Sequence, residues 1–369
     1  MSKALNIAVV GAGLVGRLLS FALCQRNYCV HLYEANPITL NDDPQYLSAA
    51  AFTAAGMIAP ISEAVEADLE TYWLGKTSLD LWPGIIEELN QNTEQRIDFQ
   101  RRGSLIVSHP QDLSELQHFK GRVQALQAGC DAQFKTLDAN QINQLEPDLN
   151  NQFKSGLLLE DEAHIDNRHL MKALLKSCLA NNVQLIDNTK VQIKGNSVTH
   201  KTGTQLFDWV IDCRGIGAKP DIKQLRGVRG EVLRVQTKEI HLARPIRLMH
   251  PRYQLYLVPK PNHQFVIGAT QIESEDQSPM SVQSMLELCS ALYSINPAFS
   301  QARILEQNTN LRPALSDNNA KVFVAKQQLS INGLFRHGFL VAPAIIDSVV
   351  SWLEGKESPH QQHLFSFSE

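Results

Sequence analysis

Cysteine is sparse in this chain of 369 residues, and what there is lies scattered. Cys24, Cys29, Cys130, Cys178, Cys213 and Cys289 form no Cys-x-x-Cys pair and no disulfide-framework spacing, so they read as free thiols of a reducing compartment. Long apolar runs are missing too: no uninterrupted stretch reaches the ~18 residues of a membrane span. Nor is there a basic run. Net charge is −4 with the Lys and Arg residues dispersed, which argues against a nucleic-acid partner and against polybasic membrane anchoring. An apolar content of 43% with 20% charged residues describes an ordinary globular chain, and its length exceeds what one hydrophobic core supports, so two domains are expected.

What the chain does have is concentrated at its start. Asn6-Ile-Ala-Val-Val10 runs into Gly11-Ala12-Gly13-Leu-Val-Gly16, then into the helix-like Leu14–Cys24, and His31-Leu-Tyr-Glu34 closes a second strand. In this pattern the first glycine makes a tight turn and the second admits backbone N–H groups to a pyrophosphate. The third lets the helix pack on the strand. The helix N-terminus then faces negative charge, and an acid about 20 residues on accepts hydrogen bonds from a ribose diol. The fingerprint predicts an adenine-dinucleotide site without separating FAD from NAD. The N-terminal apolar run could pass for a signal peptide, but it carries the fingerprint glycines, and cleavage would destroy the site. A cytoplasmic protein is expected.

Further along, Ala49–Pro60 is a tract of small residues suited to backbone lying close against something flat. The alternative reading is a tightly packed Ala-rich helix start. Leu69–Leu89, Leu113–Ala128, His169–Leu179 and Val282–Tyr293 read as helices; Gly103–Val107, Gly156–Leu159, Val183–Ile186 and Val191–Ile193 read as strands. Phe207–Asp212 is a buried-type strand ending at Cys213-Arg-Gly215-Ile-Gly217, which again brings backbone close to a cofactor. Glu231–Val235, Gln254–Val258 and Gln264–Gly268 look like an antiparallel sheet. Gly333–Pro343 reads as a turn into the helix Ala344–Leu353, and the tail after Gly355 reads as frayed. The expectation is α/β (α+β overall), a Rossmann-like nucleotide-binding domain of 1–85, 150–228 and 308–369 with an inserted antiparallel-sheet substrate domain of 86–149 and 229–307.

Several motifs recur in a telling order: Gly11–Gly16 with Glu34; Ala54-Ala55-Gly56-Met57-Ile-Ala-Pro60; Arg229-Gly-Glu231; Tyr256-Leu-Val-Pro259 with Gly268-Ala-Thr270; Leu311-Arg312-Pro313; and Gly333-Leu-Phe-Arg336-His337-Gly338-Phe339-Leu-Val-Ala-Pro343. With them the chain resembles the D-amino-acid-oxidase-like superfamily of FAD oxidoreductases, most closely the glycine oxidase group linked to thiazole biosynthesis. The resemblance implies extended FAD, its pyrophosphate at Gly11, Ala12, Gly13 and Gly16 and its ribose on Glu34. The isoalloxazine would lie against Ala55, Gly56 and Met57, with Gly215, Gly333, Arg336, His337, Gly338 and Phe339 also at the cofactor. It implies oxidation of a small amino acid or amine at its α-carbon, with hydride passing to flavin N5 and O2 or another acceptor removing the electrons.

Elementary chemistry agrees, because hydride transfer to a cofactor asks the protein chiefly for positioning. A planar guanidinium holds a substrate carboxylate by two parallel charge-assisted hydrogen bonds. Arg312 stands at the family position for that clamp, with Tyr256 or Tyr253 supplying a phenol and Arg336 a second guanidinium. No side chain is expected to act as acid or base. His250 reads as a packed histidine, and the His360-Gln-Gln-His363 spacing as a polar tail without a metal. Two departures lie near the expected pocket: Leu334 follows Gly333 where histidine is usual, and His337 follows Arg336 where a small amide is common. No cysteine occurs between Arg312 and Pro343, where some relatives attach flavin, so non-covalent FAD is expected. A carrier-dependent dehydrogenase of the same fold, a simple NAD dehydrogenase and a non-catalytic flavin module are the competing readings; homo-oligomers are common in the family.

Overall fold

The computed structural model describes residues 5–39, 48–91, 93, 96–252 and 254–367. A parallel βαβ unit opens the chain, with β1 (Asn6–Val10) and β2 (Cys29–Tyr33) joined by α1 (Leu14–Cys24). β1 is apolar at successive positions because both of its faces are covered. Ile7 and Val9 join the core under the helices, while Ala8 and Val10 pack on the other side with Val198 of a small antiparallel sheet and with Phe207, just after it.

Around β1 a seven-stranded sheet forms in the order Phe365–Phe367, Lys321–Ala325, Gln328–Asn332, Trp209–Asp212, β1, β2, Gln184–Ile186. It is parallel except where Lys321–Ala325 runs against Gln328–Asn332. An eight-stranded sheet holds Arg303–Ala314, Arg226–Gln236, Gln264–Gly268, Gln254–Lys260, Ile246–Met249, Ser104–Ser108, Ser155–Leu159 and Lys135–Asp138 in that order. The antiparallel character expected here has one exception, the parallel pairing of Ile246–Met249 with Ser104–Ser108. Among the described residues no helix is long and apolar enough to cross a membrane.

Two local expectations are corrected. The last long helix spans Gly338–Leu353 and takes in Pro343 rather than starting after it. Pro343 has no N–H to give the carbonyl of Phe339, one turn back, and the indole Nε1 of Trp82 donates to that oxygen instead at 3.0 Å. A proline that would otherwise end the helix is thereby tolerated. The tail is not frayed. Phe365–Phe367 adds a parallel strand beside Lys321–Ala325, and His360 is buried with its ring nitrogens 3.0 Å from Thr77 Oγ1 and 3.1 Å from Glu70 Oε1.

Candidate active site

A cleft of about 1930 Å³ opens at the carboxyl ends of β1 and β2, where parallel sheets present ligand sites. Clefts for one drug-sized ligand run ~300–1,000 Å³, so this one has room for a dinucleotide and a substrate together. Gly11, Gly13, Glu34, Ala55, Gly56, Met57, Gly215, Arg336, His337, Gly338 and Phe339 line it, and so do Arg312 and Tyr256. Ala12, Gly16 and Gly333 are not part of that lining. Tyr253 lies outside the described residues.

At the nucleotide end, a Cβ on Gly16 would sit 1.8 Å from the carbonyl oxygen of Gly11, so only glycine lets α1 approach the loop this closely. Glu34 anchors the loop from the other strand, one carboxylate oxygen accepting from Ala12 N–H at 2.8 Å and the other from Asn36 N–H at 3.0 Å. Arg17, which the sequence reading passed over, holds the inner side: its Nε donates to Ala12 O at 2.7 Å and an Nη to Met171 O at 2.8 Å. Burial pushes Arg17 down to about 10. Its place directly after the last fingerprint glycine was the available signal.

The small-residue tract divides into a short helix Ala50–Thr53, a turn, the strand Met57–Ile58 and the helix Pro60–Ala64. Gly56 has φ +73°, and a Cβ there would lie 2.3 Å from Ile165 O, so bare backbone faces the cleft at this point. Behind it the buried Lys260 donates to Ile165 O at 2.6 Å, and burial lowers its ammonium to about 7. Across the cleft the helix Gly338–Leu353 presents its N-terminus, a positive dipole end. The glycine loop, the Glu34 carboxylate, the bare turn at Gly56 and the size of the cleft together fit an extended dinucleotide.

At the other end sits a cluster that the sequence reading missed in its centre. Glu63 is buried and receives three donors: Arg336 Nε at 2.6 Å, an Arg336 Nη at 3.1 Å and the Tyr256 hydroxyl at 2.9 Å. His337 Nδ1 lies 3.2 Å from it. Burial opposes its charge, but Arg336 and then His337 hold the Glu63 carboxyl well below the usual range, so it is ionised. Burial similarly pushes the Tyr256 phenol far above its ordinary value. Arg247, fully buried, lies under the Tyr256 ring with its guanidinium carbon 5.1 Å from the centroid and donates to Ser62 O at 3.1 Å. The signal for Glu63 was faint: it is the first charged residue after the small-residue tract.

Arg312 differs from Arg336. It donates to Thr270 O at 3.0 Å and to Arg229 O at 3.3 Å, and among the described residues it forms no ion pair. Burial, then the neighbouring Arg336 charge, push it down to about 10. A guanidinium in that condition has donors to spare and a charge in want of an anion. His250 also borders the cleft, its Nδ1 accepting from Arg252 N–H at 3.2 Å.

The comparisons with known proteins converge on one family. A family model described as FAD dependent oxidoreductase matches residues 6–351. A Rhizobium etli protein carrying the name thiamine biosynthesis oxidoreductase ThiO is 35% identical over 350 residues, covering 94% of this chain and 95% of its own. The solved glycine oxidase of Geobacillus kaustophilus aligns at a TM-score of 0.83 and 20% identity, over 97% of this chain and 96% of that one. The iminodiacetate oxidase of Chelativorans sp. aligns at 0.82 and 20% identity, over 99% and 100%. These two structural matches speak for the fold, and the extent of the family match for descent. The chain belongs to the family of FAD-dependent oxidoreductases.

Proposed function

We propose that this chain oxidises a small amino acid or secondary amine of the glycine, sarcosine or small D-amino-acid type at its α-carbon, using non-covalent FAD and passing electrons to O2 to give H2O2. One observation carries the reading: Arg312, partly buried in the cleft wall, donates only to backbone carbonyls and forms no ion pair among the described residues. A substrate carboxylate would complete it by two charge-assisted hydrogen bonds. The names of similar proteins, a ThiO, glycine oxidases and an iminodiacetate oxidase, support amine donors of this class.

When bound, FAD supplies the hydride acceptor, and the imine left on the substrate is hydrolysed by water. The chain's own work is placement. Arg312 grips the carboxylate, the turn at Gly56 brings backbone to the cleft wall, and the N-terminus of Gly338–Leu353 favours negative charge beside it. Tyr256 donates its only proton to Glu63, so it contributes to the carboxylate site only by turning away from that bond.

The test is anaerobic addition of glycine, sarcosine and small D-amino acids to purified yellow protein, watching for loss of absorbance near about 450 nm. Bleaching by one of them, with peroxide on admitting air, is the expected result; a yellow protein that none bleaches overturns the substrate class. Arg312→Met should lower kcat/KM for the best substrate by about 10² to 10³-fold, as loss of a charge-assisted pair of hydrogen bonds requires. An unchanged value would remove Arg312 from the clamp.

A further inference from the structure

Arg312 and Arg336 both line the cleft, and they are close enough for Arg336 to depress Arg312. A cleft with two available guanidiniums would suit an amine bearing two carboxylates. Here the second is taken. Glu63 holds Arg336 through Nε and Nη at 2.6 and 3.1 Å, with the Tyr256 hydroxyl on the same carboxylate. We propose that Glu63 sets the charge specificity of the site, neutralising Arg336 so that the cleft accepts amines with one carboxylate and rejects those with two. The proposal rests on the reading of Arg312 as the carboxylate clamp.

The geometry makes the choice one between anions. Arg336 keeps 24% of its side chain accessible, so it is within reach of a ligand, whereas Glu63 keeps 8% and cannot swing into water. A second substrate carboxylate would have to displace Glu63 from Arg336 and then remain beside a buried negative charge. Such an unpaired, desolvated charge acts against the wrong ligand. Among the described residues, the neighbouring acids are engaged elsewhere. Glu66 lies 3.1 Å from Arg122 and 3.6 Å from Arg247, and Glu162 accepts from Ser62 N–H at 2.7 Å. Replacing Glu63 by glutamine keeps an acceptor for one Arg336 N–H and removes the charge, leaving Arg336 to find its anion in the ligand.

The proposal is tested by binding, without turnover, using two probes that share a backbone. Methoxyacetate matches sarcosine in shape with one carboxylate; oxydiacetate matches iminodiacetate with two. Neither has an amine to oxidise. Both are titrated into oxidised holoenzyme, read by perturbation of the flavin spectrum and by the rise in Tm. Wild-type protein should prefer methoxyacetate by about tenfold or more, and Glu63→Gln should move the ratio toward oxydiacetate by about 10 to 100-fold. The double variant Glu63→Gln with Arg336→Met, which lacks the cation that the first change frees, should lose that gain.

Wild-type protein that binds oxydiacetate as tightly as methoxyacetate overturns the proposal, whether or not the variants fold. A folded Glu63→Gln variant with the wild-type ratio overturns it equally. Arg312→Met separates the two readings: it should weaken both probes. If it weakens neither, the clamp has failed, whatever the Glu63 variant does.

Discussion

Gly230→Ala is a sharp probe of the site because it removes no charged group and displaces one. Gly230 lies in the strand Arg226–Gln236 opposite Asn310, and a Cβ there would stand 2.4 Å from Arg312 Cζ and 2.5 Å from both terminal nitrogens. Ordinary contact between such atoms begins near 3.5 Å, so the guanidinium must retreat by about 1 Å. That retreat strains its bonds to Thr270 O at 3.0 Å and Arg229 O at 3.3 Å, which now hold it in register. A misplacement of this size costs about 10²-fold in rate, or about 3 kcal/mol of transition-state stabilisation. The fold should tolerate the change, since the atoms in the way belong to the far end of a flexible side chain. The assay is anaerobic stopped-flow reduction of the bound flavin by the best amine, with Tm as the control for folding. A folded variant with unchanged substrate affinity and limiting rate would refute the claim that Arg312 positions the substrate.

Two further outcomes are expected. Acid or detergent denaturation should release all yellow colour into the supernatant; colour that stays with the precipitated chain would show a covalent link. Glu162, fully buried with one oxygen accepting from Ser62 N–H at 2.7 Å, is pushed up to about 7 by burial. In the unfolded chain it ionises near 4.5, so as pH rises from there toward 7 the unfolded state sheds a proton that the folded state keeps, and stability is lost. Glu162→Gln should therefore gain on wild type by up to about 3 kcal/mol between pH 5 and pH 8, read from urea midpoints at the two values. An equal difference at both would contradict the burial argument.

Much of the fold was legible because its signals are local. β1, α1 and β2 follow from a buried apolar run, three glycines and a terminal acid, and the strands Gln254–Lys260 and Gln264–Gly268 from alternation broken by turns. The misreadings share one cause. Pro343 and the tail after Gly355 look like breakers and loose ends when judged by neighbours in sequence. Each is held by partners far away, Trp82 for the first and the strand Lys321–Ala325, with Thr77 and Glu70, for the second.

The same division runs through the site. The dinucleotide fold could be read along the chain, because backbone geometry leaves few other uses for that glycine pattern. The small-residue tract stood open between a flat approach and a helix start, and it contains both, the helix Ala50–Thr53 and the turn at Gly56. Which charges are paired emerges only when distant segments meet. Arg312 and Arg336 are alike as residues, but Glu63, 273 positions before Arg336 in the chain, forms an ion pair with Arg336, while Arg312 meets only the carbonyls of Thr270 and Arg229 among the described residues. Electrostatic pairing acts through space over a few ångströms, and no pattern along the chain encodes which distant carboxylate will arrive.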